Sequence, residues 1–146
     1  MVNYHLVILK KPYLDAILTG RKTIESRFTR TKHAPIGKVF AGDKLFIKLS
    51  SGPVCAMATA ASVKFFGNLS PSQIFELKEQ YNHYILGGED YWQSKMDCRF
   101  GLLVWLKNVQ GINPVKIDKK DWRAWVVLTK RENFGLLDAY HTKKAK

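Results

Sequence analysis

The sequence has little cysteine and no spacing typical of a metal site. It contains two cysteines in 146 residues, Cys55 and Cys98, and neither belongs to a Cys-x-x-Cys pair. This excludes a disulfide framework and removes the usual signature of zinc ribbons and thioredoxin-like proteins. The four histidines show no metal-ligand spacing either. We therefore expect a reduced protein that uses no metal and no other cofactor.

The sequence also lacks a secretion signal and a long apolar run. Residues 1–11 show no basic start followed by an apolar stretch and a cleavage site, and no apolar run approaches about 18 residues. These absences predict a cytoplasmic protein with no membrane partner. The length predicts one domain over residues 1–146, with a core at about 4–129 and a basic C-terminal segment at 130–146. The end of that segment, 140–146, has the composition of a loose tail.

Acidic residues are half as numerous as basic ones. The chain has 24 Lys and Arg against 12 Asp and Glu, a formal net charge of +12, with a pI near 9.8. The excess is concentrated in residues 1–48 and 130–146. Clustered basic residues in a small domain are the electrostatic signature of nucleic-acid binding, although anionic lipid or solubility can use the same charge. The composition predicts an anionic partner, with nucleic acid favoured.

Patterns of apolar residues and turn residues predict short helices among more numerous strands. Strands are expected at 4–9, 22–28, 44–49, 54–66, 100–109, 115–117 and 125–129, and helices starting near Pro12, Ser70 and Glu89. Gly20 is expected to end the first helix, and Ser70 with Gln73 to form a capping box for the second. We predict an α+β fold: a small, mostly antiparallel β-barrel with two or three short helices packed at its side.

Residues 22–28 alternate polar and apolar side chains. As a strand, this segment places Thr23, Glu25 and Arg27 on the face opposite its apolar residues, and Lys22 at the junction with the preceding turn would fold over the same cleft. Two cations would then flank one carboxylate. Such a set is often an ion-paired surface, and it is also suited to binding a phosphate or a base edge.

Residues 20–27, GRKTIESR, match the Gly-x-Lys-x-x-Glu-x-Arg signature of ASCH domains. The segments 41–47 (AGDKLFI), 101–106 (GLLVWL) and 123–125 (RAW) also resemble that family, so the likeness extends over most of the chain. The resemblance implies a PUA-like β-barrel with a cleft beside the signature, in a superfamily whose other members bind RNA. Some small ASCH proteins are known to hydrolyse N4-acetylcytidine, others are ribonucleases, and others are binding modules.

The first hypothesis is therefore a module that binds RNA or a modified nucleobase around Lys22, Glu25 and Arg27, with Thr23 on the same face. Further basic residues are expected to contact phosphates without reading sequence. They are Arg21, Arg30, Lys32, Lys38 and, at the cleft rim, Arg99. Tyr91 and Trp92 are candidates to stack on a base, and the alternative is that both pack their helix onto the barrel.

The second hypothesis is a hydrolase of acylated cytidine or a ribonuclease. Lys22 would act as the base, and Glu25 as acid, base or water-orienting group. The acetylcytidine-hydrolysing group has threonine five residues after the glycine, where this chain has Glu25, so Thr23 or a water would have to substitute. A second carboxylate would come from Glu76, Glu79 or Glu89. A third hypothesis is an adaptor for an acidic protein partner.

Overall fold

Six strands form one sheet in a computed structural model of the protein, which describes residues 2–139. In chain order the elements are β1 (Tyr4–Leu9), α1 (Lys11–Leu18), β2 (Ile24–Thr29), β3 (Lys44–Leu49), β4 (Val54–Phe66), α2 (Pro71–Ile85), α3 (Glu89–Lys95), β5 (Phe100–Val115) and β6 (Trp125–Leu128). A single helical turn follows at 136–139.

The strand order across the sheet is β2-β5-β4-β3-β1-β6. Four of the five pairings within residues 2–139 are antiparallel, and β1 pairs in parallel with β3. The long strands β4 and β5 pair with three register shifts, and such irregularities bend a strand and increase its twist. The sheet therefore curls into a half-barrel. This confirms the predicted α+β fold with a mostly antiparallel sheet.

Apolar side chains pack on both faces of the curled sheet. Consecutive residues of a strand point to opposite faces, so Leu6 and Val7 of β1 belong to different core clusters. Helix α1 packs on the cluster of Val7. Helices α2 and α3 pack on β2 and β5, where Trp92 contacts the ring of Phe28 with their centroids 5.7 Å apart. This packing holds the C-terminal end of α2 and the whole of α3 beside β2.

The predicted helix boundaries are confirmed. Helix α1 has Pro12 in its first turn, and the chain leaves it through Gly20, whose φ of 80° is in the left-handed region. In α2 the Ser70 hydroxyl accepts a hydrogen bond from Gln73 N at 3.2 Å, and the Gln73 side chain accepts one from Ser70 N at 2.8 Å. The capping box is therefore complete.

Strand β2 begins later than predicted, at Ile24 rather than at Lys22. The backbone N–H of Lys22 donates to the carbonyl of Ala16, and that of Thr23 donates to the carbonyl of Tyr84. The N–H groups of these two residues are therefore tied to α1 and α2, and hydrogen bonding to β5 starts at the carbonyl of Thr23, which accepts from Leu106 N.

The separate strand predicted at 115–117 is wrong, because β5 continues without a break from Phe100 to Val115. Asn108 adopts a left-handed φ of 52°, and the pairing of β5 with β4 shifts register. These irregularities bend β5 without ending it, so one strand covers both predicted segments. Val115 still pairs with Val54 at the far end.

The packed core extends past residue 129. Leu136 is 2% exposed and packs with Leu6 and Leu128, and Phe134 and Leu137 lie against the same cluster. The predicted tail, 140–146, lies outside the described residues. Within residues 2–139, no helix combines the length and the apolar character needed to cross a membrane.

Gly101 of β5 provides a test of this packing. A Cβ at Gly101 would lie 2.8 Å from Cε1 of the buried Phe28 and 3.2 Å from a methyl group of Leu69. We expect Gly101→Ala to lower the free energy of unfolding by about 1–3 kcal/mol through overpacking, measured by urea denaturation. Gly111→Ala in the same strand is the control, since the atom nearest to its added Cβ would be the carbonyl oxygen of Cys55, 3.9 Å away. Equal effects of the two substitutions would contradict the prediction.

Candidate functional site

A cavity of about 940 Å³ lies beside β2. Its walls come from β1, α1, β2, the loop at 33–35, α3 and residues 123–127. It therefore lies where the signature segment 20–27 meets the end of α2 and the strand β6. Lys22, Glu25 and Arg27 of that segment line it, so the cavity is the natural candidate for a binding site.

Glu25 is a buried anion in this wall. The residue is 6% exposed, and its Oε1 accepts a hydrogen bond from Ser26 N at 3.0 Å and lies 3.5 Å from Lys22 Nζ. Its Oε2 accepts a hydrogen bond from Arg27 Nη2 at 3.0 Å. Burial raises the pKa of the Glu25 carboxyl, but the charges of Arg27 and Lys22 and these hydrogen bonds outweigh it, so the pKa lies below its ordinary value. The carboxyl is thus held ionised.

Lys22 is held behind Glu25 by backbone carbonyls. It is 3% exposed, and its Nζ donates to the carbonyl of Ile85 at 2.5 Å and to that of Ile24 at 3.0 Å. Ile85 is the last residue of α2, where carbonyls lack partners within the helix. Burial lowers the pKa of the Lys22 ammonium, with Glu25 opposing this effect. The lysine thus links the helix end to β2.

Arg27 faces the cavity and is supported by an aromatic ring. Its Nη2 donates to Glu25 and also to the carbonyl of Ile8 at 3.3 Å, and its Cζ lies 5.3 Å from the centre of the Trp125 ring. The Arg27 Nε is buried and has no hydrogen-bond partner among the described residues. A buried donor without a partner costs about 1–3 kcal/mol, so this guanidinium has unsatisfied capacity for a ligand.

A buried polar relay supports Trp125 from behind. Its indole Nε1 donates to His5 Nδ1 at 3.1 Å, and His5 Nε2 lies 2.9 Å from Asp43 Oδ2. An indole N–H can only donate, so His5 Nδ1 is the acceptor and His5 Nε2 donates its proton to Asp43. Burial lowers the pKa of the His5 imidazole despite the Asp43 carboxylate. Asp43 also accepts hydrogen bonds from the backbone N–H groups of Asn3 and Phe40.

Three cations of the cavity wall each lie over an aromatic ring of the same wall. The distances from the cationic centre to the ring centre are 5.2–5.4 Å, within the range of a cation–π contact. The pairs are Lys22 with Tyr13, Arg27 with Trp125, and Lys95 with Tyr91. The cavity wall therefore carries positive charge and aromatic rings in contact with each other.

The structure brings four of the predicted site residues to the cavity and leaves seven away from its wall. Lys22, Glu25, Arg27 and Tyr91 line it. The seven others are Arg21, Thr23, Arg30, Lys32, Lys38, Trp92 and Arg99. On the predicted exposed face of 22–28, Glu25 is buried and Thr23 and Arg27 are partly buried. Ser26 of the same strand also lines the cavity, with its hydroxyl 2.7 Å from the Tyr91 hydroxyl.

The two predicted stacking residues have different environments. Trp92 is 1% exposed and its indole N–H donates to Asn82 at 3.0 Å, so its ring is part of the core and packs helix α3 onto the sheet. Tyr91 reaches the cavity, and burial raises the pKa of its hydroxyl. The stacking role proposed from the sequence is therefore available to Tyr91 and not to Trp92.

The basic residues predicted to contact phosphates lie outside the cavity. Arg30 forms a 2.6 Å ion pair with Asp97, and Lys32 lies 5.7 Å from the centre of the Phe65 ring. Arg99 lines a second cavity of about 370 Å³ formed by 68–71 and 96–99. Arg21 and Lys38 are exposed. Any contact of these residues with a ligand would therefore require a ligand larger than the main cavity.

Sequence reasoning missed several wall residues. Tyr13 of α1 and Trp125 of β6 pack in the core, and each also lies under a cation of the cavity. Asp90 lines the cavity, whereas the three candidates for a second carboxylate, Glu76, Glu79 and Glu89, do not. The one available signal was the resemblance of 123–125 to the closing strand of ASCH domains.

Comparison with known proteins supports the resemblance. The family model for the ASCH domain matches residues 7–133. The crystal structure of an ASCH protein from Zymomonas mobilis superposes with a TM-score of 0.69 at 16% identity, covering 92% of this chain and 94% of that chain. Two single-residue variants of it give TM-scores of 0.68 and 0.67, also at 16% identity, covering 93% and 92% of this chain and 95% and 96% of theirs. No curated protein sequence matches. The shared fold confirms the predicted PUA-like α+β architecture.

Removal of the Glu25 carboxylate should be costly because it leaves buried cations unpaired. We expect Glu25→Ala to lower the free energy of unfolding by about 3–5 kcal/mol in urea denaturation. Asp15→Ala is the matched control: Asp15 pairs with Lys11 at 2.7 Å, but both side chains are largely exposed. Loss of such a surface pair costs about 0–1 kcal/mol. A Glu25→Ala effect no larger than that of the control would show that the buried cluster does not stabilise the fold.

The buried His5 predicts a stability that depends on pH. Because the pKa of His5 is lowered in the folded protein, the unfolded chain binds its proton more readily below about pH 6.5. The free energy of unfolding should therefore be highest above about pH 6.5 and should decrease as the pH falls from there through the pKa of His5 in the folded protein. Denaturation series between about pH 7.5 and 5 measure this. His5→Gln should flatten the profile over that range, while His83→Gln, at an exposed position of α2, should leave it unchanged.

Proposed function

Because this chain belongs to the ASCH domain family, we propose that its cavity binds RNA or a modified nucleobase. The observation that supports this most is the set of three cation–aromatic pairs on one cavity wall. Proteins that bind single-stranded nucleic acid combine positive charge for the backbone with aromatic rings on which bases stack. The Lys22–Tyr13, Arg27–Trp125 and Lys95–Tyr91 pairs offer both in one place.

The charge of the cavity wall favours an anionic or electron-rich ligand. Five basic residues line it, against two acidic ones. The basic residues are Lys10, Lys22, Arg27, Lys95 and Arg123, and the acidic ones are Glu25 and Asp90. Glu25 is paired with two of these cations, Lys22 and Arg27, and five basic against two acidic residues leave the wall with a net positive charge. A phosphate of RNA or the carbonyl oxygens of a base would be attracted.

Glu25 and Arg27 can read a base edge together. A carboxylate has about four acceptor sites, and the contacts with Ser26 N, Lys22 and Arg27 use three of them, leaving about one. Beside it, Arg27 supplies guanidinium donors. An edge that presents an amine donor next to an acceptor, as in cytosine or adenine, matches this pair. The exposed Arg21, Lys32 and Lys38 would then hold phosphates of a longer RNA outside the cavity.

Equilibrium binding of the purified protein to single-stranded RNA and to N4-acetylcytidine tests the proposal. Arg27→Ala removes the donor fork and should weaken binding on the order of tenfold. Arg27→Lys should recover little of the nucleoside affinity, because a point charge lacks the fork. Lys107→Ala is the control, since Lys107 is exposed on β5 and is not part of the cavity wall.

The salt dependence of the same titrations adds an independent criterion. Affinity for RNA should fall as salt rises, since phosphate contacts release counterions, and the slope should be smaller for Arg27→Ala. Unchanged affinity in Arg27→Ala would place the binding site elsewhere. Absence of binding to either probe at physiological salt would favour the adaptor hypothesis, in which the positive charge serves an acidic protein partner.

A hydrolase acting on the same ligands is the second candidate, and the burial of Lys22 next to Glu25 favours it. A lysine whose pKa is lowered can act as a base toward water. Its ammonium, however, already has three acceptors, the carbonyls of Ile24 and Ile85 and the Glu25 carboxylate, and these stabilise the protonated form. Mass analysis of the incubated RNA and N4-acetylcytidine distinguishes the two: product formed by the wild type and absent with Lys22→Met would establish the enzyme.

A further inference from the structure

Trp122 is an aromatic side chain with almost no contact to its own protein. It is 99% exposed, in the segment that connects β5 to β6. The other tryptophans are at least partly buried in the core clusters. Leaving so large an apolar ring in water has no stabilising effect on the fold, and fully exposed tryptophans are enriched where a partner covers them.

The segment that holds Trp122 is braced on both sides. The Asp121 carboxylate accepts hydrogen bonds from Lys119 Nζ at 2.9 Å, from Arg123 N at 2.9 Å and from Arg123 Nη2 at 2.8 Å. The Arg123 guanidinium also binds Glu132 across the loop. The turn is thus fixed by several charged contacts, and Trp122 is presented from a backbone that binding would not have to order.

Trp122 is also adjacent to the cavity. Its neighbour Arg123 and the following Ala124 line the wall, and consecutive Cα atoms are about 3.8 Å apart. The backbone of Trp122 therefore lies one residue outside the cavity wall. Among the other large exposed aromatics, Phe40 and Phe75 are not part of the cavity wall.

The charge around Trp122 matches a polyanion. Residues 116–132 hold six basic and three acidic side chains, an excess of three positive charges. Lys119 and Arg123 pair with Asp121, Arg123 pairs also with Glu132, and Lys120 pairs with Asp118, so the excess comes from Lys116, Lys130 and Arg131. An acidic or phosphate-bearing chain leaving the cavity along this segment would meet cations on either side of an exposed ring.

We propose that Trp122 stacks on the base next to the one held in the cavity, so that the preferred ligand is a single-stranded RNA and not a free nucleoside. The proposal rests on the proposed function of the cavity. A nucleotide stacked on Trp122 would lie next to Arg123 of the cavity wall, and its neighbour would enter the cavity beside Arg27. Every base has a stacking face, so the contact adds affinity without reading sequence.

The test compares two probes that differ only in length, cytidine 5′-monophosphate and a single-stranded tetracytidylate. Trp122→Ala should weaken tetracytidylate binding on the order of tenfold, as stacking residues do, and should leave binding of the mononucleotide unchanged. Trp122→Phe, which keeps an aromatic face, should retain most of the oligonucleotide affinity. Phe75→Ala, at another exposed aromatic away from the cavity, is the control. Trp122 is exposed, so thermal unfolding should show all variants folded.

The outcomes separate this proposal from the one on which it rests. If Trp122→Ala binds tetracytidylate like the wild type while Arg27→Ala does not, the cavity binds RNA and the stacking proposal is wrong, leaving Trp122 as a contact for a protein partner. If Trp122→Ala weakens both probes equally, the ring contacts the cavity ligand itself, which also overturns the proposal. If the wild type binds neither probe, the proposed function fails and this inference fails with it.

Discussion

The carboxylate of Glu25, buried between Lys22 and Arg27, is the interaction on which the candidate site depends. A buried charge is tolerated only when it is paired and hydrogen-bonded, and Glu25 meets this condition through Lys22, Arg27 and the backbone of Ser26. Each cation also binds a backbone carbonyl of another element, Ile85 of α2 or Ile8 of β1. The same cluster therefore joins β1, β2 and α2 and fixes the charges of the cavity before any ligand arrives.

A second chain of buried polar contacts extends from Arg27 into the core. The guanidinium rests on Trp125, whose indole is held by His5, and His5 in turn binds Asp43 at the start of β3. Because His5 lies on β1, Trp125 on β6 and Asp43 just before β3, the relay crosses the last three strands at one edge of the sheet. Polar groups are costly to bury, and here the buried His5 and Asp43 hold the Trp125 ring beneath the Arg27 guanidinium.

Local sequence patterns predicted the helices and strands, whereas the arrangement of the candidate site depends on contacts between residues far apart in sequence. The capping box of Ser70 and the stop at Gly20 are set by neighbours in sequence, so both were predicted and confirmed. The burial of Lys22 depends on the carbonyl of Ile85, 63 residues away, which no local pattern indicates. The cavity faces of Tyr13 and Trp125 were missed for a similar reason: an aromatic residue in an apolar stripe has the same periodicity whether it fills a core or lines a cavity.

The position of Lys22 also decides how the charges of the cavity are divided. Its ammonium is 3% exposed, and two carbonyls and Glu25 accept its hydrogen bonds, so it adds positive charge to the cavity wall but has no donor left for a ligand. It also balances the charge of Glu25. Because Lys22 shares the charge of Glu25, part of the Arg27 guanidinium remains available to face the cavity, and the Arg27 side chain is 18% exposed. The buried Lys22 therefore suits a binding site in which Arg27 donates to the ligand. To act as a base, Lys22 would first have to lose the acceptors that favour its charged form.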